Sequence, residues 1–440
     1  MKILHSTQQE TQKAREKAVL VGTRAPFQLR WEVEDNMDEL SLLADTAGAD
    51  VVGRMVQDRR SADPTFFIGK GKASLLSGLV SQLDANVIIF DDDLSPAQIR
   101  NLENVTHVKV LDRSALILDI FARRAKTREA RTQVELAQLQ YLLPRLTRRW
   151  THLSRQEGGI GTRGPGETQL EVDRRMIKKR ISALSDELEK IENQRKTRRK
   201  GRKEVFKVAL VGYTNTGKST LLNVLSGSHV TVENRLFVTL DPTVRSIRLN
   251  PRQKLLLIDT VGFIRKLPHH LVASFKSTLE ETTSADMLLH VVDISHPQFL
   301  EQIATVKHVL QELGIGQKPV LFVFNKVDLL EDRKRIAYVK KHFPHSVTIS
   351  AVRGIFLDDL RQRLLTFIEE QFYETDVAVN PESKEMISEI YRETVVLGSD
   401  YVDGGLVLHV RARHGQIESI RQRNQEREKS GLETVAFNKN

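Results

Sequence analysis

Several kinds of residue and segment are missing from this chain of 440 residues. It has no cysteine, which excludes disulfide bonds, thiolate metal sites and cysteine nucleophiles. It also has no long apolar run: Val208–Val211, Leu255–Ile258 and Val320–Phe324 are far shorter than the ~18 residues of a membrane-spanning helix. The N-terminus turns polar after Leu4, so we expect no signal peptide. We therefore expect a cytoplasmic protein, and we leave a peripheral association with a membrane open.

Aromatic residues make up 6% of the chain, whereas hydrophobic residues make up 40%. This hydrophobic content is typical of a globular protein, and the length predicts roughly three domains of about 100–200 residues each. The net charge is +10, from 67 Lys and Arg against 57 Asp and Glu. Such an excess either solvates a basic face or binds nucleic acid phosphates, and clustering decides between these interpretations.

The order of the apolar segments predicts an α/β protein. From about Leu20 to Leu111, and again from Glu204 to about Phe372, short apolar strands alternate with helix-sized segments; the second stretch is typical of a doubly wound sheet. Strands are predicted at Val87–Phe90, Val108–Leu111, Val205–Val211, Leu255–Ile258, Val320–Phe324, Val347–Ile349, Thr394–Leu397 and Gly405–Val410, and helices at Asp38–Ala47, Lys72–Leu83 and Glu382–Glu393. We place an N-terminal α/β subdomain at 1–112, a helical hairpin at 113–200, the doubly wound domain at 201–372, and a small α+β C-terminal domain at 373–440. The last twenty-odd residues are predicted to be a frayed or disordered tail.

Residues 113–200 carry a different pattern. Apolar residues spaced three, four or seven apart run through Leu136–Leu153 and again through Leu170–Ile191. Two such heptad stripes joined by a short segment predict an antiparallel helical hairpin, with a kink or break at Pro144. Residues 158–166 contain five glycines and one proline, so they cannot be helical and should form the hairpin tip. Two amphipathic helices that pack on separate domains are the alternative.

A glycine-rich segment follows the apolar run Val205–Val211. It reads GYTNTGKS, which is the pattern GxxxxGK[ST] placed between a predicted strand and a predicted helix. In this context backbone N–H groups surround phosphates, Lys218 brings a positive charge to the β and γ oxygens, and Ser219 offers its hydroxyl to magnesium. The sequence therefore predicts a phosphate-binding loop.

Two further motifs stand at the ends of predicted strands. In Asp259–Gly262 (DTVG), the acid would reach magnesium through water and the glycine N–H would reach the γ-phosphate. In Asn325–Asp328 (NKVD), the final carboxylate can accept from guanine N1–H and the 2-amino group, which adenine lacks, so GTP should be preferred. In the later segment Ser350–Val352, the N–H of Ala351 is a candidate donor to guanine O6.

A threonine between these motifs should close over magnesium when the γ-phosphate is present, and Thr239 and Thr243 are the candidates. The nucleotide site is therefore assigned to Gly212, Tyr213, Thr214, Asn215, Thr216, Gly217, Lys218, Ser219, Phe237, Val238, Thr239, Leu240, Asp241, Asp259, Thr260, Val261, Gly262, Asn325, Lys326, Val327, Asp328, Ser350, Ala351 and Val352.

These motifs, together with GGIGTRGPGETQLEVDRR, resemble the HflX family of bacterial GTPases from about Leu20 to beyond Phe372. The resemblance implies a P-loop GTPase domain that binds GTP and GDP, with Mg²⁺ held by Ser219 and Thr239. It also implies the large ribosomal subunit and its RNA as partner, and a role in dissociating stalled or stress-arrested ribosomes. GTP would favour the bound state and hydrolysis would release the protein.

The residue after the DxxG glycine is unusual. Ras-like enzymes place a glutamine there to orient the attacking water, whereas this chain has Phe263. We therefore assign no catalytic residue and expect slow intrinsic hydrolysis. A partner surface could reorder Thr260–Pro268, or Asn215 could help to bind K⁺ in place of an arginine finger. In a third interpretation Asn215 only braces its loop.

The basic residues cluster on the predicted hairpin and near its tip, which favours RNA contact. A simple chain reversal needs one or two glycines, not five. The predicted ribosome contacts are Gly158, Gly159, Gly161, Thr162, Arg163, Gly164, Gly166, Arg174 and Arg175. No sustained free heptad seam is present, so we expect a monomer.

Two other functions stay open. An ATP/GTP-dependent RNA remodeller would need a second nucleotide site, for which only Phe67–Lys72 (FIGKGK) gives local support, and we interpret that segment as a strand end and a turn. A GTP-gated adaptor for a protein partner would make no RNA contact, and its complex would be insensitive to salt.

Overall fold

The computed structural model describes residues 15–59, 61–146, 169–199, 206–227, 236–250, 254–267, 280–370, 372–402 and 405–429. The described chain has an α/β fold built on three β-sheets, which we call the N-terminal, central and C-terminal sheets. None of the helices in these ranges is long and apolar enough to cross a membrane.

The N-terminal sheet is parallel. The elements of this part are β1 (Glu16–Arg24), α1 (Arg30–Thr46), β2 (Ala49–Asp58), α2 (Lys70–Gln82), β3 (Val87–Phe90), α3 (Pro96–Thr106), β4 (Lys109–Asp112) and α4 (Arg113–Arg124), which together we call the N-terminal unit. The strand order is β2-β1-β3-β4, so the chain reverses its direction of winding between β1 and β3. In parallel sheets such a reversal opens a crevice at the carboxyl ends of the two strands.

Two helices follow the N-terminal unit: α5 (Arg128–Leu142) and α6 (Gln169–Arg199). They run antiparallel, because Arg128 pairs with Glu187 (2.6 Å) and Glu135 pairs with Arg180 (2.7 Å). The predicted break is confirmed: α5 ends at Leu142, and Leu143–Arg145, which contains Pro144, forms a 3₁₀ turn. The predicted tip, residues 158–166, lies outside the described ranges.

The central sheet has the strand order β10-β9-β8-β5-β7-β6; β6 pairs antiparallel with β7, and the other described pairs are parallel. Its elements are β5 (Phe206–Val211), α7 (Lys218–Ser226), β6 (Thr243–Arg248), β7 (Lys254–Asp259), α8 (Glu280–Thr283), β8 (Met287–Asp293), α9 (Phe299–Glu312), β9 (Val320–Asn325), a 3₁₀ turn (Val327–Leu329), α10 (Lys334–His342), β10 (Val347–Thr348) and α11 (Leu357–Glu370). Strands β5 and β8 are almost wholly buried, as expected for parallel strands covered on both faces.

The C-terminal sheet is antiparallel, with the strand order β11-β13-β12. It comprises β11 (Phe372–Val379), α12 (Lys384–Glu393), β12 (Val395–Val402), β13 (Gly405–Arg413) and α13 (His414–Lys429). The prediction of a frayed tail was wrong as far as Lys429, because α13 is helical and buries Ile417 and Ile420 completely. Two apolar residues three apart suffice to attach an otherwise polar helix.

Most predicted elements are confirmed within one or two residues, but helix α1 begins at Arg30, eight residues before the predicted start. The boundaries predicted between the four parts, at 112, 200 and 372, stay predictions. One hydrophobic core joins the N-terminal unit to the central sheet, with Leu40 and Phe121 on one side and Phe237 and Phe263 on the other. The two sheets therefore share packed side chains where their carboxyl ends approach each other.

Candidate nucleotide-binding site

The phosphate-binding loop connects β5 to α7. Gly217 has φ +91°, and a Cβ there would lie 2.3 Å from Nδ2 of Asn325. Only glycine therefore allows Asn325 to approach, and its Nδ2 donates to the Thr216 carbonyl at 2.9 Å. The loop is thereby tied to the NKVD motif.

Lys218 lies at the centre of this loop. Its side chain is buried, and its Nζ donates to the carbonyl oxygens of Tyr213 (2.6 Å) and Gly212 (3.1 Å). Burial lowers the pKa of Lys218 to about 8, against the opposing effect of the Asp259 carboxylate. A phosphate oxygen would therefore gain a desolvated cation held by backbone carbonyls.

Three oxygen-bearing side chains converge beside Lys218. Oδ2 of Asp259 accepts from the hydroxyls of Ser219 (2.7 Å) and Thr239 (2.9 Å), whose oxygens lie 2.9 Å apart. Among the described residues, Oδ1 of Asp259 is buried without a hydrogen-bond partner. Burial raises the pKa of Asp259. This set fits Mg²⁺, which prefers hard oxygen donors, whereas the other candidate, Thr243, begins β6.

The loop after β7, residues 260–267, packs directly on the phosphate-binding loop; we call it the DxxG loop. Phe263 exchanges two backbone hydrogen bonds, donating to the Gly212 carbonyl (3.1 Å) and accepting from the Thr214 N–H (2.7 Å). A Cβ on Gly262 would lie 2.8 Å from the Thr214 methyl and 3.2 Å from Nζ of Lys218. The side chain of Phe263 is buried in the shared core, so it cannot hold a water molecule at the nucleotide.

The NKVD motif forms the far end of the site. Oδ1 of Asn325 accepts the N–H of Ala351 at 2.9 Å, so the donor predicted for guanine O6 is engaged here and its guanine contact stays a prediction. Lys326 pairs with Asp293 at 2.6 Å. Sequence reasoning missed Arg353, whose Nε lies 3.8 Å from Oδ2 of Asp328. No motif includes that arginine.

Most of the predicted phosphate-side residues line one pocket, formed by Thr214, Asn215, Gly217, Lys218, Ser219, Thr220, Phe237, Val238, Thr239, Thr260 and Gly262. Several other predicted residues turn their side chains elsewhere, and Val261 is buried in the shared core. The Tyr213 hydroxyl bonds to Glu39 of α1, Leu240 is buried in the shared core, and Asp241 accepts from the N–H groups of Lys126 (3.0 Å) and Thr127 (3.3 Å). Their assignment to the nucleotide site stays a prediction, and any nucleotide contact from them would have to come from the backbone.

Three family models match consecutive parts of the chain: GTP-binding GTPase N-terminal (34–122), GTP-binding GTPase Middle Region (124–202) and 50S ribosome-binding GTPase (207–326). The GTPase HflX of Caldanaerobacter subterraneus is 48% identical over 372 residues, which cover 84% of each chain. The GTPase HflX of Escherichia coli is 43% identical over 403 residues, covering 90% of this chain and 94% of that protein. The chain belongs to the HflX family of GTPases. It is accordingly a GTP-hydrolysing enzyme that binds GTP and GDP.

Among solved structures, a GTP-binding protein from the hyperthermophilic archaeon Sulfolobus solfataricus in complex with GDP is 25% identical. The superposition has a TM-score of 0.45 and covers 81% of this HflX-family chain and 99% of that chain.

The predicted ribosome contacts divide into two groups. Residues Gly158, Gly159, Gly161, Thr162, Arg163, Gly164 and Gly166 lie outside the described ranges. Arg174 and Arg175 lie on α6, and both are exposed.

Asn215 is exposed and lines the phosphate pocket, with a left-handed backbone (φ +60°). Within the described part of this HflX-family chain its side chain makes no hydrogen bond that would brace the loop. A role in binding K⁺ stays a prediction.

Sequence reasoning also missed a group of charged residues where the DxxG loop meets the N-terminal unit. It consists of Glu39, Asp91, Arg113, Arg265 and Lys266. These residues belong to no motif, and only the fold brings them together.

Proposed function

We propose that this GTPase binds the large ribosomal subunit in its GTP state, dissociates stalled or stress-arrested ribosomes, and is released by hydrolysis. The match of residues 207–326 to the 50S ribosome-binding GTPase model carries the proposal. The exposed basic face of α6 supports it, because phosphate contacts need clustered Lys and Arg.

The nucleotide would be held by the residues that converge in the pocket. Lys218 would supply charge to the phosphates, and Ser219 and Thr239, which converge with Asp259, would hold Mg²⁺. A magnesium ion held there would supply positive charge to the phosphates of the nucleotide. Gly262 would offer its N–H to the γ-phosphate, so Thr239 and Gly262 are the groups that distinguish GTP from GDP.

Hydrolysis without a partner should be slow, because Phe263 is buried away from the pocket. Binding to the subunit would supply the missing group or reorder the DxxG loop. K⁺ near Asn215 is a second candidate for the missing charge, and equal rates in KCl and NaCl would exclude it.

The RNA contact would come from α6 and the glycine-rich segment before it. Arg174, Lys178 and Lys179 are exposed on α6. Arg180, on the side of α6 that faces α5, pairs with Glu135. The basic face is therefore open to a phosphate backbone along at least one and a half helical turns.

Steady-state hydrolysis of GTP and of ATP, with and without purified large subunits, tests the proposal. We expect slow GTP turnover that rises steeply with subunits, and no matching response with ATP. The triple variant Arg174→Gln, Lys178→Gln, Lys179→Gln should weaken subunit binding about tenfold or more at low salt and should make binding less sensitive to salt.

Exchanging Lys340 and Lys341 of α10 for glutamine is the matched control, because both are exposed and lie on the central domain. A rate of GTP hydrolysis that large subunits do not change, or subunit binding that salt does not weaken, would favour the adaptor function instead. A strong response with ATP would favour the RNA remodeller.

A further inference from the structure

Tyr213 belongs to the phosphate-binding loop, but its side chain leaves the nucleotide pocket. It is buried, and its hydroxyl accepts the backbone N–H of Arg265 in the DxxG loop at 2.8 Å. The same hydroxyl donates to the carboxylate of Glu39 on α1. Its own carbonyl accepts from Lys218 at 2.6 Å. One residue therefore connects the phosphate-binding loop, the DxxG loop and the N-terminal unit.

Glu39 is held firmly from the other side. Its carboxylate pairs with Arg113, a fully buried residue of α4, and Arg113 also pairs with Asp91 at 2.6 Å. The Arg265 guanidinium lies 3.2 Å from Glu39. Burial raises the pKa of Tyr213, so its hydroxyl keeps its proton and remains the donor. A partnered carboxylate at a fixed position can thus orient the tyrosine.

Lys266 anchors the same loop one residue later. Its Nζ pairs with Asp91 at 2.8 Å and also with Asp92, at the carboxyl end of β3. This is the crevice between β1 and β3, where an open parallel sheet ordinarily binds its ligand. Here a side chain of the DxxG loop occupies it.

The anchored loop is in a closed arrangement. Gly262 packs against Thr214, and Phe263 is hydrogen bonded to the phosphate-binding loop on both sides. Thr239 is likewise closed onto Ser219 and Asp259. The contacts of Tyr213 and Lys266 therefore accompany the arrangement in which Gly262 lies beside Lys218 and Thr239 lies beside Ser219.

We propose that the Tyr213 hydroxyl, oriented by Glu39, is a positioning group that holds the DxxG loop closed. The N-terminal unit thereby gives GTP an affinity advantage over GDP. This inference goes beyond ribosome binding and does not depend on it, because purified protein and nucleotide alone test it. It rests on the proposed role of Gly262 at the γ-phosphate.

The energetic reason is a difference between two states. GDP makes no contact with Gly262, so its affinity is indifferent to whether the loop is closed. A GTP analogue gains from closure, so a contact present only in the closed loop adds to its affinity alone. Loss of the hydrogen bond between the Arg265 N–H and the Tyr213 hydroxyl, a neutral pair, shifts such an equilibrium by up to about tenfold.

Tyr213→Phe removes the hydroxyl and keeps the buried ring. We expect the dissociation constant of a non-hydrolysable GTP analogue to rise about tenfold and that of GDP to stay within about twofold. Tyr141→Phe is the matched control, since its buried hydroxyl donates to Asp112 (2.7 Å) and neither residue lines the nucleotide pocket. The control should lower the melting temperature without changing the ratio of the two constants.

Lys266→Gln gives an independent test, because Lys266 is partly exposed and Asp91 keeps its pair with Arg113. It should shift the ratio in the same direction by about threefold, within the range of a partly screened ion pair. Equal weakening of both nucleotides by Tyr213→Phe would show that the residue only shapes the phosphate-binding loop and would overturn the proposal. An unchanged ratio in both variants would do the same.

Discussion

The N-terminal sheet is parallel and the central sheet is parallel except for its edge strand β6; their carboxyl ends approach each other and are used differently. At the central sheet, the loops after β5 and β7 and the segment before β6 line one pocket. Beside it, Oδ1 of Asp259 is buried without a hydrogen-bond partner among the described residues. At the N-terminal sheet, the carboxylates of Glu39, Asp91 and Asp92 are neutralised by Arg113, Arg265 and Lys266.

The difference teaches that a crevice at a strand reversal need not bind a foreign ligand. Each carboxylate of this internal joint has a partner cation within the chain, although Nε of Arg113 is buried without a hydrogen-bond partner among the described residues. The segment Phe67–Lys72 agrees with this assignment of the N-terminal unit. Its Phe67 carbonyl accepts from Arg59 at 2.7 Å, and Gly69 (φ +81°) leads into α2, as expected for a turn.

The largest effect should come from a substitution at the phosphate end of the nucleotide-binding site. Lys218→Met removes the buried ammonium and keeps most of its volume, so a phosphate oxygen loses its charged partner. We expect GTP affinity to fall by about 3 kcal/mol, or more than a hundredfold, in equilibrium binding. Lys254→Met at the exposed start of β7 is the control. A loss below about fivefold would contradict the assigned role of Lys218.

A smaller effect is expected at the predicted guanine end of the same site. Asp328→Asn replaces an acceptor by a group that presents a donor to guanine N1–H, so we expect GTP affinity to fall by about 2 kcal/mol, roughly thirtyfold. The preference for GTP over ATP should shrink accordingly in competition binding. Glu331→Gln, an exposed change three residues away, should leave both affinities unchanged. Unaltered discrimination in Asp328→Asn would move the base-reading role to another residue such as Arg353.

The smallest predicted effect is the response of the central sheet to acid. His290 of β8 is buried in the central sheet, and burial, with Lys218 nearby, lowers its pKa to about 3. The unfolded chain, with a pKa near 6.5, binds more protons between pH 6.5 and 3, so stability falls as pH is lowered through this window. The loss is about 1.4 kcal/mol at pH 5.5.

His290→Phe should therefore lose less of its melting temperature between pH 7.5 and 5.5 than the unmodified protein. His308→Gln, an exposed change on α9, should follow the unmodified protein. Parallel pH profiles for all three proteins would mean that His290 does not titrate as a buried group.

The nucleotide-binding site could be predicted from sequence because each of its motifs is a short contiguous segment. Gly212–Ser219 and Asn325–Asp328 follow apolar strands directly, and the carboxyl ends of parallel strands meet at one edge. The internal joint could not be predicted, because its partners are far apart: Tyr213 and Glu39 are separated by 174 positions, and Arg265 and Asn36 by 229. Charged residues are usually exposed, and no periodicity in the sequence indicates that these ones are buried.

The outward turn of Asp241 has a mechanical consequence. Asp241 stands two residues after Thr239 and accepts hydrogen bonds from the N–H groups of Lys126 and Thr127, the two residues that immediately precede α5. Helix α5 is 15 residues long, a rod of about 22 Å. A rotation of only about 10° at its N-terminal end would displace the other end by about 4 Å on that length. A small movement at Asp241 would therefore be amplified at the far end of α5, and the ion pairs between α5 and α6 resist such a rotation.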